Sequence, residues 1–242
     1  MLTLNLIDRV LVHGLRVVAT IKSHAGISVG LFFFSNQLYA GVFANGDFEV
    51  PSFAEGVYSA TTGGVDAGLL SPWSFGGNPA AGVSLVSGGN ILFNSGFPSS
   101  GNQFLNFNGG DLPPGSTVEQ TFDTIVGITY KIQFDVGRHG IAAQNIGLRG
   151  EALSGTGSLL AVVEEHPLDY GYMPRTTLLF EAVSTESIVR FTDISVDTSS
   201  VDILLDNVSI TAVPEPEQVG LLASTLLVGM VFLRRNSLKS VS

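Results

Sequence analysis

Residues 128–136 carry the feature that most constrains the fold of this 242-residue chain. Apolar and polar side chains alternate there without a break, the apolar positions being Ile128, Tyr130, Ile132, Phe134 and Val136. Successive side chains of a β-strand point to opposite faces of its sheet. We therefore predict a strand with one face in a core and the other in water, as is common in antiparallel sheets.

Short segments of similar character, separated by turn residues, follow one another along the middle of the chain. They are 83–86, 91–93, 103–107, 117–122, 145–151, 158–164, 176–182, 187–193 and 202–211. No stretch between residues 45 and 212 shows a sustained helical period. About ten short strands at this spacing predict an all-β fold, namely an antiparallel β-sandwich.

A distinct segment occupies residues 213–242. Its order is Pro214, Glu215, Pro216, an uncharged apolar run over 219–233, and then Arg234 and Arg235. As a helix the run would be roughly 22 Å long, somewhat short of a hydrocarbon core of about 30 Å. The prolines prevent the helix from extending backwards, and the arginines favour the cytoplasmic side. We predict a transmembrane helix that holds the protein provisionally and leaves the preceding residues outside.

The first 44 residues are predicted to be a secretory signal region. Lys22 supplies a positive charge, 26–34 supply an apolar stretch, and Val42 and Ala44 supply small residues at the −3 and −1 positions for cleavage after Ala44. Ala40 is the alternative cleavage site. Residues 1–21 are predicted to follow a start codon assigned too early, or to be a long n-region; a membrane-anchored N-terminus that is never cut is a further alternative.

Residues 45–212 then form one domain of 168 residues with a strongly acidic balance. They contain five basic residues and 18 acidic ones, a net charge of −13 with histidine neutral. A field of that sign repels phosphate backbones, so nucleic acid is excluded as a partner. Acidic surfaces can instead bind Ca²⁺. The chain has no cysteine, which excludes disulfides and thiolate zinc sites.

The C-terminal order Pro-Glu-Pro, apolar run and Arg-Arg resembles the PEP-CTERM sorting signal of Gram-negative bacteria that make exopolysaccharide. The resemblance covers residues 214–235. It implies export, processing by an exosortase-type enzyme, a transient inner-membrane anchor, and a final place in the cell envelope or extracellular matrix. An ordinary C-terminal membrane anchor is the alternative.

The domain itself resembles galactose-binding-domain-like jelly rolls, which include many carbohydrate-binding modules and a plant cell-wall family of unknown function. The segments that carry the resemblance, in order, are 45–49 (Asn-Gly-Asp-Phe-Glu), Trp73 after Ser-Pro, 101–107, 118–122, 127–135 and 204–210. The resemblance implies a two-sheet jelly roll whose first and last strands lie close together.

A structural calcium site is implied by the same resemblance. Asp206 shares a predicted strand face with apolar residues, so its carboxylate needs a partner. Carried over by position, the family's calcium ligands are Glu49 and Asp206, with Asp47 and the carbonyl of Asn45 as helpers. The alternative is that Asp206 accepts hydrogen bonds from backbone N–H groups.

Sugar binding would need an exposed aromatic ring and planar polar side chains. The candidates are Trp73, Tyr170 and Tyr172, with Arg138 beside His139 just past the best strand. For Trp73 the favoured alternative is a place in the core, and for Arg138 it is an ordinary polar loop.

No catalytic residue is predicted. Glu164 and Glu165 lie next to each other in a strand and point to opposite faces, and Asp193, Asp197 and Asp202 are interpreted as solubilising. We expect an exported, non-enzymatic protein that binds or organises polysaccharide. The alternatives are a purely structural matrix protein and a glycoside-active enzyme, which would need two carboxylates facing each other at roughly 5–10 Å.

Overall fold

The structure is a computed structural model in which two compact units are distinguished, Met1–Tyr39 and Ala40–Ser242. It describes residues 43–52, 70–88, 98–109, 111–140 and 145–214 in full, and the backbone alone at 11–12, 15–16 and 58–62. In the first unit, β1 (Leu11–Val12) pairs antiparallel with β2 (Leu15–Arg16).

The second unit contains two antiparallel sheets. The five-stranded sheet has the order β10 (Leu159–Glu165), β9 (Leu148–Ser154), β13 (Glu186–Asp193), β7 (Ser116–Asp123), β4 (Ser74–Gly77). The seven-stranded sheet has the order β11 (Gly171–Tyr172), β8 (Thr129–His139), β14 (Asp202–Ala212), β6 (Gln103–Phe107), β5 (Gly82–Ser87), β3 (Tyr58–Thr62). Its remaining strand, β12 (Thr176–Glu181), pairs with β8.

The core lies between the two sheets, as the alternation in 128–136 predicts. Tyr130, Ile132, Phe134 and Val136 of β8 are fully buried in one cluster with apolar side chains of both sheets. The prediction of an all-β antiparallel sandwich is confirmed. Within the fully described ranges there is no helix, so none there is long and apolar enough to cross a membrane. The predicted span 219–233 lies outside the described residues, as do Glu215, Pro216, Arg234 and Arg235.

Strand positions differ from the prediction at a few places. β9 begins at Leu148 and ends at Ser154, whereas the sequence predicts 145–151. β3, β4 and β11 are not predicted at all. β3 falls in a stretch interpreted as loops, and Ser-Phe-Gly-Gly of β4 and Gly-Tyr of β11 are too short to show an alternation. β4 and β11 are edge segments that pair with β7 and β8 respectively. The predicted strand at 91–93 falls outside the described residues.

The opening segment 43–52 packs against the closing strand, as the resemblance implies. The Val208 backbone N–H donates to the Gly46 carbonyl at 2.7 Å, where β14 is interrupted by an irregularity between Asp206 and Ser209. Phe43 contacts the rings of Trp73 and Phe122 edge-on, at centroid distances of 5.7 and 6.2 Å. Residues 43 and 44 are therefore part of the sandwich.

Candidate functional site

A groove of about 520 Å³ lies on the outer face of the five-stranded sheet. It is lined by residues of four neighbouring strands, which are Ser74, Phe75, Gly76, Gly77, Thr117, Glu119, Arg149, Glu151, Arg190 and Thr192. Its position follows from the pleat, because the inward residues of these strands fill the core and the alternate residues stand on the opposite face.

Polar side chains form two rows across this face. In the first row, Ser74, Glu119, Arg190 and Glu151 are successive register partners on β4, β7, β13 and β9. In the second row, Gly76, Thr117, Thr192 and Arg149 are partners in the same way, and Glu164 of β10 follows. Gly76 and Gly77 of β4 carry no side chain, so no side chain from these positions closes that edge of the groove.

Ion pairs hold the two arginines of the groove. Arg190 Nε donates to Glu119 Oε2 at 2.6 Å, and Arg149 donates to Glu164 Oε1 from Nη2 at 2.7 Å and from Nε at 2.8 Å. Each of these side chains is about a third exposed or more, so the pairs add little to folding stability. Their effect is to hold planar donors and acceptors in a defined place at the surface.

The groove can form several directed hydrogen bonds with a polar ligand. A guanidinium presents donors in a rigid plane and a carboxylate presents paired acceptors, which together match neighbouring hydroxyl groups. Phe75 is the aromatic residue among those lining the groove, and its ring also packs against the core. The chemistry of the groove is therefore mainly polar.

Trp73 does not serve as an exposed platform. Its side chain is 1% exposed, contacts Phe48 and Phe191, and donates its indole N–H to the Asn45 carbonyl at 2.8 Å. A ring in this place cannot stack on a sugar, so its nomination as a ligand-binding residue is corrected in favour of the core position. Trp73 nevertheless lies directly before β4, at one edge of the groove.

Arg138, also nominated for ligand binding, is buried as well. It is 4% exposed, and its guanidinium donates to the carbonyls of Gly140 at 3.3 Å and Pro167 at 3.2 Å. Its role is to connect the end of β8 with the loop before β11, because a buried guanidinium needs acceptors. The interpretation of Arg138 as a ligand-binding residue is thereby corrected.

Tyr170 and Tyr172 lie at the opposite sheet from the groove. Tyr170 is exposed and its ring is 5.8 Å from that of His139. Tyr172 packs on Val86, Phe104 and Leu204, lying over Gly137, where an added Cβ would come within 2.9 Å of its ring. The structure brings the two tyrosines near each other but not near the groove.

The four residues nominated for calcium divide into two groups. Glu49 Oε1 accepts the N–H groups of Asn102 and Gln103 at 2.6 and 2.8 Å. Asp206 Oδ2 accepts the N–H groups of Ser99 and Ser100 at 2.7 and 2.9 Å. Both carboxylates thus bind backbone donors of one segment, residues 99–103.

Asn45 and Asp47 do not join those carboxylates as ligands. The Asn45 side chain exchanges two hydrogen bonds with Val50, its carbonyl accepts the Trp73 indole N–H, and Asp47 is exposed. In the part of the chain that the structure describes, no three His, Cys, Asp or Glu side chains are grouped as metal ligands. A cation between Glu49 and Asp206 would compete with backbone donors at three of the four carboxylate oxygens, so this arrangement is unfavourable for calcium; calcium binding itself stays a prediction.

Two acids of β14 are buried and have altered titration. Burial raises the pKa of Asp206 to about 6, and hydrogen bonds from Ser100, Asn207 and Ser99 oppose the rise. Burial also raises the pKa of Asp202 to about 6, opposed by a hydrogen bond from Asn106 and assisted by the charges of Asp111 and Asp193. The interpretation of Asp193 and Asp202 as solubilising residues is wrong, since Asp193 is 2% exposed and the side chain of Asp202 is 13% exposed.

The groove residues are the ones that sequence reasoning missed. Their signal is present in the outward positions of β7, β9 and β13, where threonine, glutamate and arginine recur at alternate residues. Which of these positions become neighbours depends on the strand order, since β7, β13 and β9 are not consecutive in the chain.

No protein-family model matches the sequence, and no curated protein matches it. Among solved structures, the fold is similar to TmCBM61 in complex with β-1,4-galactotriose, at 14% identity and a TM-score of 0.46, covering 66% of this chain and 100% of that one. It is also similar to the K1 adhesin domain of Lys-gingipain from Porphyromonas gingivalis, at 14% identity and a TM-score of 0.45, covering 66% and 100%. The CBM22-1 xylan-binding domain from Paenibacillus barcinonensis Xyn10C is similar at 13% identity and a TM-score of 0.41, covering 68% and 99%. Likeness at this level assigns the chain to none of these families.

Proposed function

We propose that the domain binds polysaccharide in the groove of the five-stranded sheet and has no catalytic role. The observation that carries the proposal is the double row of polar side chains on the outer face, with Arg149 and Arg190 held by glutamates. Sugars offer a series of hydroxyl groups that both donate and accept, and fixed guanidinium and carboxylate groups suit them. We also propose a jelly roll of the galactose-binding type, because the opening segment pairs with β14.

Binding is tested by native electrophoresis of the full chain through gels that contain β-1,4-galactan, xylan or mixed-linkage β-glucan. We expect at least one of these to retard the protein. Glu151→Gln removes a charged acceptor from the groove while keeping its size, and such hydrogen bonds contribute about 1.5–3 kcal/mol. We therefore expect this variant to bind at least about tenfold more weakly.

The matched control is Glu181→Gln, which makes the same chemical change at an exposed position of β12, on the other sheet. It should leave retardation unchanged. Equal retardation of the wild type and Glu151→Gln by a polysaccharide would place binding elsewhere. No retardation by any polysaccharide would favour the purely structural alternative.

A glycoside-active enzyme is the second candidate, and one observation favours it. Glu119 and Glu151 stand on the same face, on either side of Arg190, two strand spacings or about 9.5 Å apart at the backbone. That is near the separation used by inverting glycosidases. Against it, Glu119 Oε2 already accepts a hydrogen bond from Arg190 at 2.6 Å, so this oxygen is not free to act on a glycosidic bond. Release of reducing sugar by the wild type and its loss in Glu151→Gln would support the enzyme.

We further propose that the protein is exported, held in the inner membrane by 219–233, processed by an exosortase-type enzyme, and delivered to the cell envelope or matrix. The sequence pattern of 214–235 is what supports this route. For the N-terminal signal we favour cleavage after Ala40 over Ala44. Cleavage after Ala44 would remove Phe43 from the core and break two hydrogen bonds of 2.9 Å between Ala44 and Gln120.

A further inference from the structure

Three connections without a charged residue meet at one end of the sandwich: 124–128 between β7 and β8, 155–158 between β9 and β10, and 182–185 between β12 and β13. Exposed acids border them at the ends of the strands, namely Asp123, Glu181 and Glu186. At the opposite end, the connections that precede β7 and β14 include Asp111 and Asp197.

The three uncharged connections are tied to one another or to the core by hydrogen bonds. Thr124 N–H donates to the Thr185 carbonyl and Gly127 N–H to the Ala182 carbonyl, both at 2.8 Å. The Ile125 N–H donates to the hydroxyl of the buried Tyr130 at 3.0 Å. The turns 124–128 and 182–185 are therefore fixed to each other and to the core.

These held turns present aliphatic side chains to the outside. Ile125 is 40% exposed, and Val126 and Val183 are each 58% exposed. Isolated exposed aliphatic residues are common, but three on adjacent turns that lack any charge form a contiguous apolar surface. We name Ile125, Val126 and Val183 the apolar tip.

The chain leaves the sandwich at the same end. Val213 N–H donates to the carbonyl of Thr129, the first residue of β8, directly after the 124–128 turn. Residues 214–218 are all that separate Val213 from the apolar run 219–233. They can span at most about 20 Å when fully extended. The opposite end lies about 36 Å away along the 11 residues of β14.

We propose that the apolar tip rests in the surface of the lipid bilayer that holds residues 219–233. The proposal depends on the membrane hold proposed above, and it adds how the domain meets the bilayer. The short link keeps the tip near the headgroups, and burying aliphatic surface there removes it from water. Of the two ends of the sandwich, this is the one that the short link allows to reach the bilayer, because the chain leaves the sandwich here.

The test uses single cysteines, because the chain has none of its own. Val126→Cys and Val183→Cys place an environment-sensitive fluorophore, NBD, on the tip. Val196→Cys is the matched control, a valine 75% exposed on the loop between β13 and β14, at the far end. Ser224→Cys reports on the apolar run. Each full-length variant is reconstituted into phosphatidylcholine vesicles with and without a lipid that carries a quencher near its headgroup.

We expect the labels at 126 and 183 to shift to shorter wavelength and to be quenched, and the label at 196 to do neither. If the label at 224 enters the bilayer while those at 126 and 183 behave like that at 196, the tip proposal is overturned and the membrane hold stands. If the label at 224 stays in water, both are overturned. Retardation by polysaccharide, measured on the same variants in detergent, reports on the groove independently, since the tip does not line it.

Discussion

At the scale of single residues, the carboxylates of Asp206 and Asp202 differ from surface acids in having raised pKa values. Asp206 is enclosed and accepts four hydrogen bonds, from the N–H and hydroxyl of Ser99 and the N–H groups of Ser100 and Asn207. Asp202 accepts a hydrogen bond from the Asn106 side chain at 3.2 Å, lies 3.9 Å from His139 Nδ1, and lies in the field of two further acids. Burial disfavours the charged form of both carboxylates and therefore raises their pKa values.

Asp202 provides a prediction about pH. Its folded pKa of about 6 lies above the ordinary value of 3.8, so its contribution to stability is full below pH 3.8 and is lost as the pH rises through 6. Asp202→Asn cannot ionise, so it does not lose stability as the pH rises, and its side-chain oxygen can still accept the hydrogen bond from Asn106. We expect the variant to exceed the wild type at pH 7.5 by on the order of 2 kcal/mol, and to match it near pH 3.5.

Thermal unfolding followed by circular dichroism at both pH values measures this difference. Asp169→Asn, at an exposed position, is the control and should show no such divergence. A constant offset between Asp202→Asn and the wild type across the pH range would show that the charge of Asp202 is not the cause.

At the scale of the elements, segment 99–103 is held from two sides by the opening segment and by β14. Glu49 binds one end of it and Asp206 the other, and Gln103 donates its side-chain amide to the carbonyls of Phe48 and Pro51 at 2.6 and 2.9 Å. The segment leads directly into β6, so these contacts set where that strand begins. Carboxylates that accept paired backbone N–H groups form strong, charge-assisted hydrogen bonds.

These hydrogen bonds give a prediction about calcium. We expect EDTA to leave the melting temperature unchanged, because three of the four carboxylate oxygens of Glu49 and Asp206 already accept backbone donors. Glu49→Ala should lower the free energy of unfolding by about 1–3 kcal/mol, since it leaves two N–H groups without that acceptor.

Differential scanning calorimetry with and without EDTA and added CaCl₂ measures both effects. A fall in melting temperature on chelation, restored by calcium, would support the calcium predicted from the sequence, because an ion bound only by the folded state raises stability. Asp47→Ala is the control, as its exposed carboxylate should contribute little.

For the whole molecule, the sandwich ends where the sorting pattern begins. β14 finishes at Ala212, Val213 still donates to Thr129, and Pro214 is exposed. Removal of everything after Val213 would therefore leave every described strand of the second unit intact. At the other end, the contacts of Phe43 and Ala44 place the start of the sandwich before residue 45.

Mass spectrometry of the mature protein from its native host checks both boundaries. We expect an N-terminus at Gly41, following Ala40, and loss of the apolar run 219–233. A mature form that begins at Asn45 would instead support cleavage after Ala44. A mature form that extends to Ser242 would contradict the processing of the C-terminal segment.

The alternation of 128–136 and its neighbours was sufficient to predict an antiparallel sandwich, because period-2 patterning is local and survives in the sequence. The core positions of β7, β8 and β13 follow directly from it. The link between residues 45–49 and the last strand was visible only through a family resemblance, since nothing local indicates which distant segments will pair.

Only the tertiary structure decided which polar residues share a surface. Glu119, Arg190 and Glu151 become neighbours because β13 lies between β7 and β9, an order that the alternation within each strand does not contain. In the same way Trp73 and Arg138, each plausible at a surface by residue type, are buried by distant segments: Trp73 packs on Phe48 and Phe191, and Arg138 lies against the Pro167 carbonyl. The alternation of apolar and polar residues is set by successive positions in the chain and can be seen in the sequence. A binding site is formed when strands that are distant in sequence pair, and the sequence of each strand does not show this pairing.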